Sequence, residues 1–514
     1  GFLLLSNVLY RYNGDDETIV VPDGVTHIAG EVFASGPYSW SRKLKVKKVV
    51  LPDSVRYIGY RAFSGCSELE TIEMPEGVAF DTGVFDGCTK LADENGLVIL
   101  GNTACTYVGK NKEIEIPAGV EILEDRLFAV GYGSNPVNSV IRKVILPEGL
   151  KHIGKNVFRG CAHLSQINIP ESVEQIDTGA FDGCEKLKNI HVPQSTEIFD
   201  MAFTGCSGLA DENGFVIVNN ILFQYVGTDR DVVVPETVTA IGSDAFSKQW
   251  IEKIILPAGL KKMGTAFRGC ESLKEIRIPE GVVCISREAF EGFGAVEEIS
   301  FPKSLRYLGG SALSKMSSLE RLDLSHTNLK TIDSSAFFYC SNLKELLLPE
   351  GLKALGEWLF CGCSKLHTVK LPASLETVGP EDGFVGTFAD SGLKTLVLPE
   401  GISSIPRRTF RNCKKLKSVT LPDSVRAIGE DAFIGCVNLT EVNVPAQLQT
   451  VGTDAFRHCC KLERPAFPEA LTAQEDFWGN IGFGDENGCV VKDGVLIKYV
   501  GPLDKVVISE GVTE

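Results

Sequence analysis

One phrase recurs from end to end of this chain, and it limits the possible folds before composition is considered. CSELETIEMPEGV (Cys66 to Val78), CEKLKNIHVPQST (Cys184 to Thr196), CESLKEIRIPEGV (Cys270 to Val282) and CKKLKSVTLPDSV (Cys413 to Val425) share a C-x-x-L start, two alternating apolar residues and a proline. I-G-x-x-A-F-x-G-C follows, as from Ile58 to Cys66 and from Ile428 to Cys436, and the phrase begins again. Anchoring prolines run from Pro22 to Pro468, mostly 22 or 23 residues apart. With Ser325 and Ser509 in the equivalent place of two further units, they mark about 19 coils over the 514 residues. A unit this short cannot bury its apolar edge alone, so the units must stack and share one continuous core.

Within each unit the residues before the proline alternate. Ile72 and Met74, or Val419 and Leu421, are expected to face inward, with Glu73 and Thr420 facing outward. Each coil then supplies one short strand, and strands about 4.7–4.9 Å apart predict a single parallel sheet roughly 90 Å long. Of the 28 phenylalanines, 16 fall at the A-F position, from Phe33 and Phe63 to Phe456, with Leu313 there once. They predict an aromatic spine on the other side of the coil, carried on short helical or 3₁₀ turns. The expected fold is an α/β-type repeat solenoid: a leucine-rich-repeat array with one long parallel sheet, helical or 3₁₀ turns opposite, and inserted β-hairpins. A single array spanning 1–514 is expected.

The pattern resembles the BspA-type leucine-rich repeats, and the resemblance covers nearly the whole chain. One unit, LERLDLSHTNLKTIDSSAF from Leu319 to Phe337, is nearer the ordinary leucine-rich consensus, with Thr327 where that consensus usually has Asn. The resemblance implies a secreted or surface-displayed bacterial protein with an interaction role such as adhesion to host or microbial partners. It brings no catalytic residues to carry over.

Composition narrows the function further. The chain is 44% apolar and 23% charged, with a formal charge of −16 and a pI near 5.1. A balance this acidic argues against nucleic acid as a partner. No apolar run approaches the roughly 18–20 residues of a membrane-spanning helix, so no membrane insertion is expected. The chain opens on Gly1 and stops within repeat material at Val512-Thr513-Glu514, and the reading expects a monomeric fragment of a longer product, cut within repeats at both ends.

Four 14-residue segments interrupt the rhythm: GFLLLSNVLYRYNG (1–14), GLVILGNTACTYVG (96–109), GFVIVNNILFQYVG (214–227) and GCVVKDGVLIKYVG (488–501). Each has two apolar arms around Ser6-Asn7, Gly101-Asn102, Asn219-Asn220 or Asp493-Gly494, residues that tolerate the positive φ of a hairpin turn. The coils after the first three lack Gly-Cys and carry an aromatic-containing loop, with Tyr38 and Trp40, Tyr132, and Trp250. Two readings stand: a binding ridge of hairpin plus loop, or an aromatic packed under the hairpin as local core.

Catalytic and metal chemistry find little purchase. Eleven of the 16 cysteines lie three residues after the A-F position, which predicts a buried thiol ladder rather than disulfides between coils. Neither Cys361-Gly-Cys363 nor Cys459-Cys460 has the second ligand pair of a zinc site, and no two of the seven histidines have metalloprotease spacing. Asp93-Glu94-Asn95 and its copies lack the spaced ligands of a calcium loop and suit a turn. No metal, cofactor or catalytic residue is expected.

Function is best sought on the outward positions of the sheet, where His191, Val233, Ile255, Arg277, Asp323, Leu347, Lys370 and Val397 change unit by unit over an unchanging core. That is the pattern of a recognition surface for a protein or glycan, although a merely solvated face would also vary. A neighbouring column carries Lys344, His367, Lys394 and Lys417. The other readings are a spacer or targeting region of an enzyme whose catalytic domain lies elsewhere, and a purely structural stalk.

Overall fold

A computed structural model of the chain describes residues 1–35, 44–130, 140–473, 477–484, 488–492, 495–500, 506–510 and 512–513. The chain divides into two units, Gly1–Gly227 and Thr228–Glu514, built from the same coil. In the first unit the strands Thr18–Val20, Lys48–Val50 and Thr71–Glu73 pair in parallel, with Ile19, Val49 and Ile72 in register and turned toward the core. Glu113–Glu115, Lys143–Ile145 and Gln166–Ile167 repeat the arrangement. The expected strand therefore recurs along the coils, but residues 187–193, which include His191, form none, and the column is divided into short sheets rather than forming one.

Most coils also contribute a second strand, which the repeat pattern did not predict. His27–Ile28, Tyr57–Ile58 and Ala79–Phe80 pair in parallel, as do Ile122–Leu123, His152–Ile153, Gln175–Ile176 and Glu197–Ile198. These come from the V-x-x-I-G part of the phrase, where Val55 and Ile58 are buried. Two residues per strand are too few to show alternation in sequence. The hairpins join this second column. The arm Val8–Tyr12 pairs with His27–Ile28, and Thr103–Tyr107 pairs with Ile122–Leu123. Their turns hold Ser6, Gly101, Asn219 and Asn220 at positive φ, as the sequence required. Asp93 Oδ1 accepts from the amides of Asn95 and Leu97 at 2.9 and 2.8 Å, and Asp211 does the same for Asn213 and Phe215. These carboxylates serve the turn leading into the hairpin. Residues 485–487, the third copy, lie outside the described residues.

The corner opposite the strands departs from expectation. Among the described residues of the coils, 3₁₀ geometry is confined to Val140 and Ser207–Leu209. In most coils the residue two before the spine aromatic has positive φ, as at Arg61, Arg126, Asp431 and Asp454, which a right-handed helical turn cannot contain. The corner amides instead bond along the stack. Glu31 N donates to Tyr60 O at 2.9 Å, Phe33 N to Ala62 O at 2.8 Å and Ser35 N to Ser64 O at 2.7 Å. A third ladder of backbone bonds thus joins the coils where helix-like turns were expected.

Inside the corner the aromatic spine forms as predicted. Phe33, Phe63 and Phe85 stack at 4.9 and 5.6 Å, and Phe128, Phe158, Phe181 and Phe203 at 5.3, 5.1 and 5.0 Å. In the second unit Phe337, Phe360, Phe388, Phe410, Phe433 and Phe456 continue at 5.0–5.7 Å. All 16 cysteines are free thiols. Each of the eleven ladder cysteines sends its Sγ to the carbonyl of the spine residue one coil earlier, as Cys66 does to Phe33 O at 3.1 Å and Cys340 to Leu313 O at 3.0 Å. Burial pushes the thiols of Cys66, Cys161, Cys270 and Cys340 up to about 12.

The second unit begins with the sheet Asp231–Val233, Lys253–Ile255, Glu275–Arg277 and Glu298–Ser300. Arg321–Asp323 and Glu345–Leu347 follow, extended by a single parallel bridge from Leu347 to Lys370. The column resumes as Thr395–Val397, Ser418–Thr420 and Glu441–Val442. The interruption falls where Pro372 and Pro399 stand 27 residues apart and Ser391-Gly-Leu393 replaces C-x-x-L. Two short helices, Glu469–Thr472 and Phe477–Asn480, and a hairpin of Cys489–Lys492 with Val495–Tyr499 complete the described part of the unit.

Candidate recognition surface

The inward alternation leaves the third residue of each strand outward, and the second unit places six of the eight sheet-face candidates there, with Lys370 in the same register on an isolated bridge. Val233 and Ile255 are cross-strand neighbours, 62% and 49% exposed. Arg277 lies opposite Ser300, its Nε donating to Glu275 Oε1 at 2.8 Å, so the guanidinium is held by its own strand. Asp323 accepts from Ser325 N at 2.9 Å and Ser325 Oγ at 2.6 Å, and these bonds hold its carboxyl below the usual range. That carboxylate caps the turn after its strand. His191, in the first unit, is exposed and meets Glu171 Oε1 at 3.3 Å. It edges a groove of ≈370 Å³ shared with Lys188, Ile190, Leu209 and the hairpin residues Ile217 and Val218.

Leu347, Lys370 and Val397 come together at the interruption of the strand column. They line a shallow depression of ≈620 Å³ with Glu345, Glu350, Thr368 and Thr395. Leu347 and Val397, the latter 66% exposed, flank Lys370, and Thr368 and Thr395 add hydroxyls. The physical cause is the irregular coil between Pro372 and Pro399, whose extra residues leave the Thr395–Val397 strand without a ladder to its predecessor. The resulting surface is apolar at its sides, cationic between them and hydroxylated, a combination suited to non-covalent recognition. Among the described residues no group of three or more His, Cys, Asp or Glu side chains has a metal-holding arrangement, and no helix is long and apolar enough to cross a membrane.

Tyr38, Trp40 and Tyr132 lie outside the described residues. Trp250 is 76% exposed, so the local-core reading does not hold for it. The sequence reasoning passed over Phe384, equally exposed on the extra segment at 379–386, whose carbonyl accepts from Arg408 Nη1 at 3.0 Å. It also passed over the glutamates and threonines of the depression. The lengthened spacing between Pro372 and Pro399 was the available signal for both.

Stacked parallel coils with an apolar strand residue, a proline stop and a varied outward position define a leucine-rich-repeat protein. The model of the BspA type leucine rich repeat region matches residues 6–132, 137–213, 211–265, 263–382 and 385–478, and the chain belongs to that family. Similar solved structures include a leucine-rich repeat protein from Bacteroides ovatus, 24% identical over 93% of each chain with a TM-score of 0.39. A leucine rich cell surface protein from Faecalibacterium prausnitzii is 16% identical over 94% of this chain and 95% of that one, with a TM-score of 0.22. The pneumococcal vaccine antigen PcpA is 15% identical over 91% and 94%, with a TM-score of 0.24. No curated protein matches the chain.

Proposed function

We propose that this protein is a non-enzymatic, surface-displayed or secreted interaction module that captures a protein or glycan on the outward face of its strand column. The observation that carries the reading is the depression at the interruption of that column, which gathers Leu347, Lys370 and Val397 from three successive coils. The exposed Val397 and half-buried Leu347 leave apolar surface open to a partner, whereas the outward Asp323 and Arg277 are already engaged within the molecule. Display outside the cell is compatible with so many free thiols because the ladder cysteines are buried and their thiols resist ionisation. The test is binding of wild type and Leu347→Asp/Val397→Asp to arrays of host proteins and glycans. A specific partner lost by the variant, with its thermal unfolding unchanged, supports the reading. A wild type that binds nothing, or a variant that binds equally well, overturns it.

A further inference from the structure

Beside the depression runs the column His367, Lys394 and Lys417. Its members are joined coil to coil by backbone bonds, Lys394 N to His367 O at 2.9 Å and Lys417 N to Lys394 O at 2.7 Å. Lysines elsewhere on these coils are matched to glutamates one coil away: Lys315 to Glu291 at 2.8 Å, Lys344 to Glu320 at 2.7 Å, and Lys353 to Glu376. Around the depression the matching stops. Among the described residues, no carboxylate lies within ion-pair distance of the ammonium groups of Lys365, Lys370, Lys394, Lys414 or Lys417. Burial first, then the nearby charges of Lys394 and Lys415, hold the imidazole of His367 below its ordinary range. A protein of net charge −16 thus concentrates positive charge along this strip, beside a depression whose own carboxylates are Glu345, already paired with Arg321, and Glu350. Like charges packed this way repel unless a counter-charge arrives.

We propose that this strip binds an extended acidic polysaccharide laid along the stacking direction, its carboxylate or sulfate groups against Lys370, Lys394 and Lys417 and its sugar faces over Leu347 and Val397. The inference rests on the sheet-face reading above and names the partner's chemical class. Strand spacing sets the separation of His367, Lys394 and Lys417 at about 4.7–4.9 Å per coil, with Lys370 three residues along its coil from His367, and a pyranose chain advances by close to the one-coil distance per sugar. The hydroxyls of Thr368 and Thr395 suit sugar hydroxyls, and the aliphatic walls suit sugar C–H faces. Nucleic acid fits less well. The strip has lysine point charges rather than the arginine forks that clamp phosphate, and no aromatic side chain lines the depression for bases to stack on. An acidic peptide would gain most by adding a strand to an open edge, but this surface is a sheet face.

The experiment measures binding of the whole chain to chondroitin sulfate and polygalacturonate, with dextran, polyglutamate and single-stranded DNA as comparison probes. Lys370→Glu/Lys394→Glu/Lys417→Glu is set against Lys112→Glu/Lys261→Glu/Lys303→Glu, which changes the net charge equally at lysines outside the strip. An exposed ion pair is worth up to about fivefold in affinity, so the first variant should lose on the order of 10- to 100-fold. The second should stay within about twofold, and wild-type binding should weaken as salt is raised. Equal losses in both variants, no binding to either acidic polysaccharide, or binding to polyglutamate or DNA as tight as to the polysaccharides would overturn the proposal. A failure here leaves intact any partner that Leu347→Asp/Val397→Asp releases, so the two readings fail separately.

Discussion

Replacing Cys436 by alanine tests whether the thiol ladder works as packing with a weak hydrogen bond or as the chief tether between coils. Cys436 is fully buried, and its Sγ donates to Phe410 O at 3.1 Å. The same carbonyl accepts from the amide of Cys413 at 3.1 Å, so truncation leaves it with a donor and adds no orphaned acceptor. Losing one buried heavy atom costs about 0.5–1.5 kcal/mol, as for a buried methyl. The S–H···O contact adds about 0.5–1 kcal/mol. The sum, about 1–2.5 kcal/mol, should appear locally, because a stacked array opens by neighbouring repeats rather than all at once. Native-state hydrogen exchange is the appropriate assay. Amides of the coils carrying Cys413, Cys436 and Cys459 should exchange roughly 5- to 70-fold faster in Cys436→Ala, with distant coils unchanged. Unaltered exchange would refute the packing argument. Loss of protection throughout the unit would refute its weakness.

Three further predictions concern the thiols and the glycines of the coil. Because burial raises the ladder thiols, with Cys66, Cys161, Cys270 and Cys340 reaching about 12, an alkylating reagent at pH 8 should modify exposed Cys284 and Cys460 and spare the ladder until the protein unfolds, as peptide mapping would show. These thiols keep their protons in the folded state, so their contribution to stability is complete below the ordinary value of 9.0 and is lost as pH rises toward 12; alkaline melts should fall across that window. Gly65 has φ 77°, and an added Cβ would sit 1.5 Å from Ser35 O, whereas Gly77, at φ 73°, has nothing within 4 Å. Gly65→Ala should therefore lower the melting temperature far more than Gly77→Ala, which meets only the positive-φ penalty of about 1–2 kcal/mol; equal shifts would show that the corner can widen.

The repeat made the fold legible because its strongest constraints are local. Phe63 must be inside, Pro75 must end a strand, and Asn219-Asn220 must turn. What escaped the sequence was carried by bonds between coils. The second strand column has only two residues per coil, and the corner is built on Arg61 and Asp431 in a left-handed conformation that no propensity assigns to Arg. Asn168 and Asn443 occupy the same register of the repeat as the varied outward residues. Their side-chain amides instead bond both N and O of Leu146 and Leu421 in the preceding coil, at 2.7–2.9 Å, replacing the backbone ladder. The candidate surface was legible residue by residue at Leu347, Lys370 and Val397. Their convergence was not, because it depends on where the column breaks. Unpaired lysines are likewise invisible in sequence, since Lys344 and Lys394 occupy equivalent positions and only Lys344 has a glutamate within reach.

The three ladders run between coils and not within them, which determines how such a chain yields when pulled. Tension along the stacking direction loads the bonds of one coil boundary at a time, as in a zipper, rather than shearing a whole sheet. Each released coil of 22 or 23 residues would pay out about 75 Å of chain before the next is loaded. A surface tether made this way would dissipate a sudden tug in small steps and lose only its outermost coils. A partner held by several coils in the interior of a unit would stay bound while the ends unpeel and rewind.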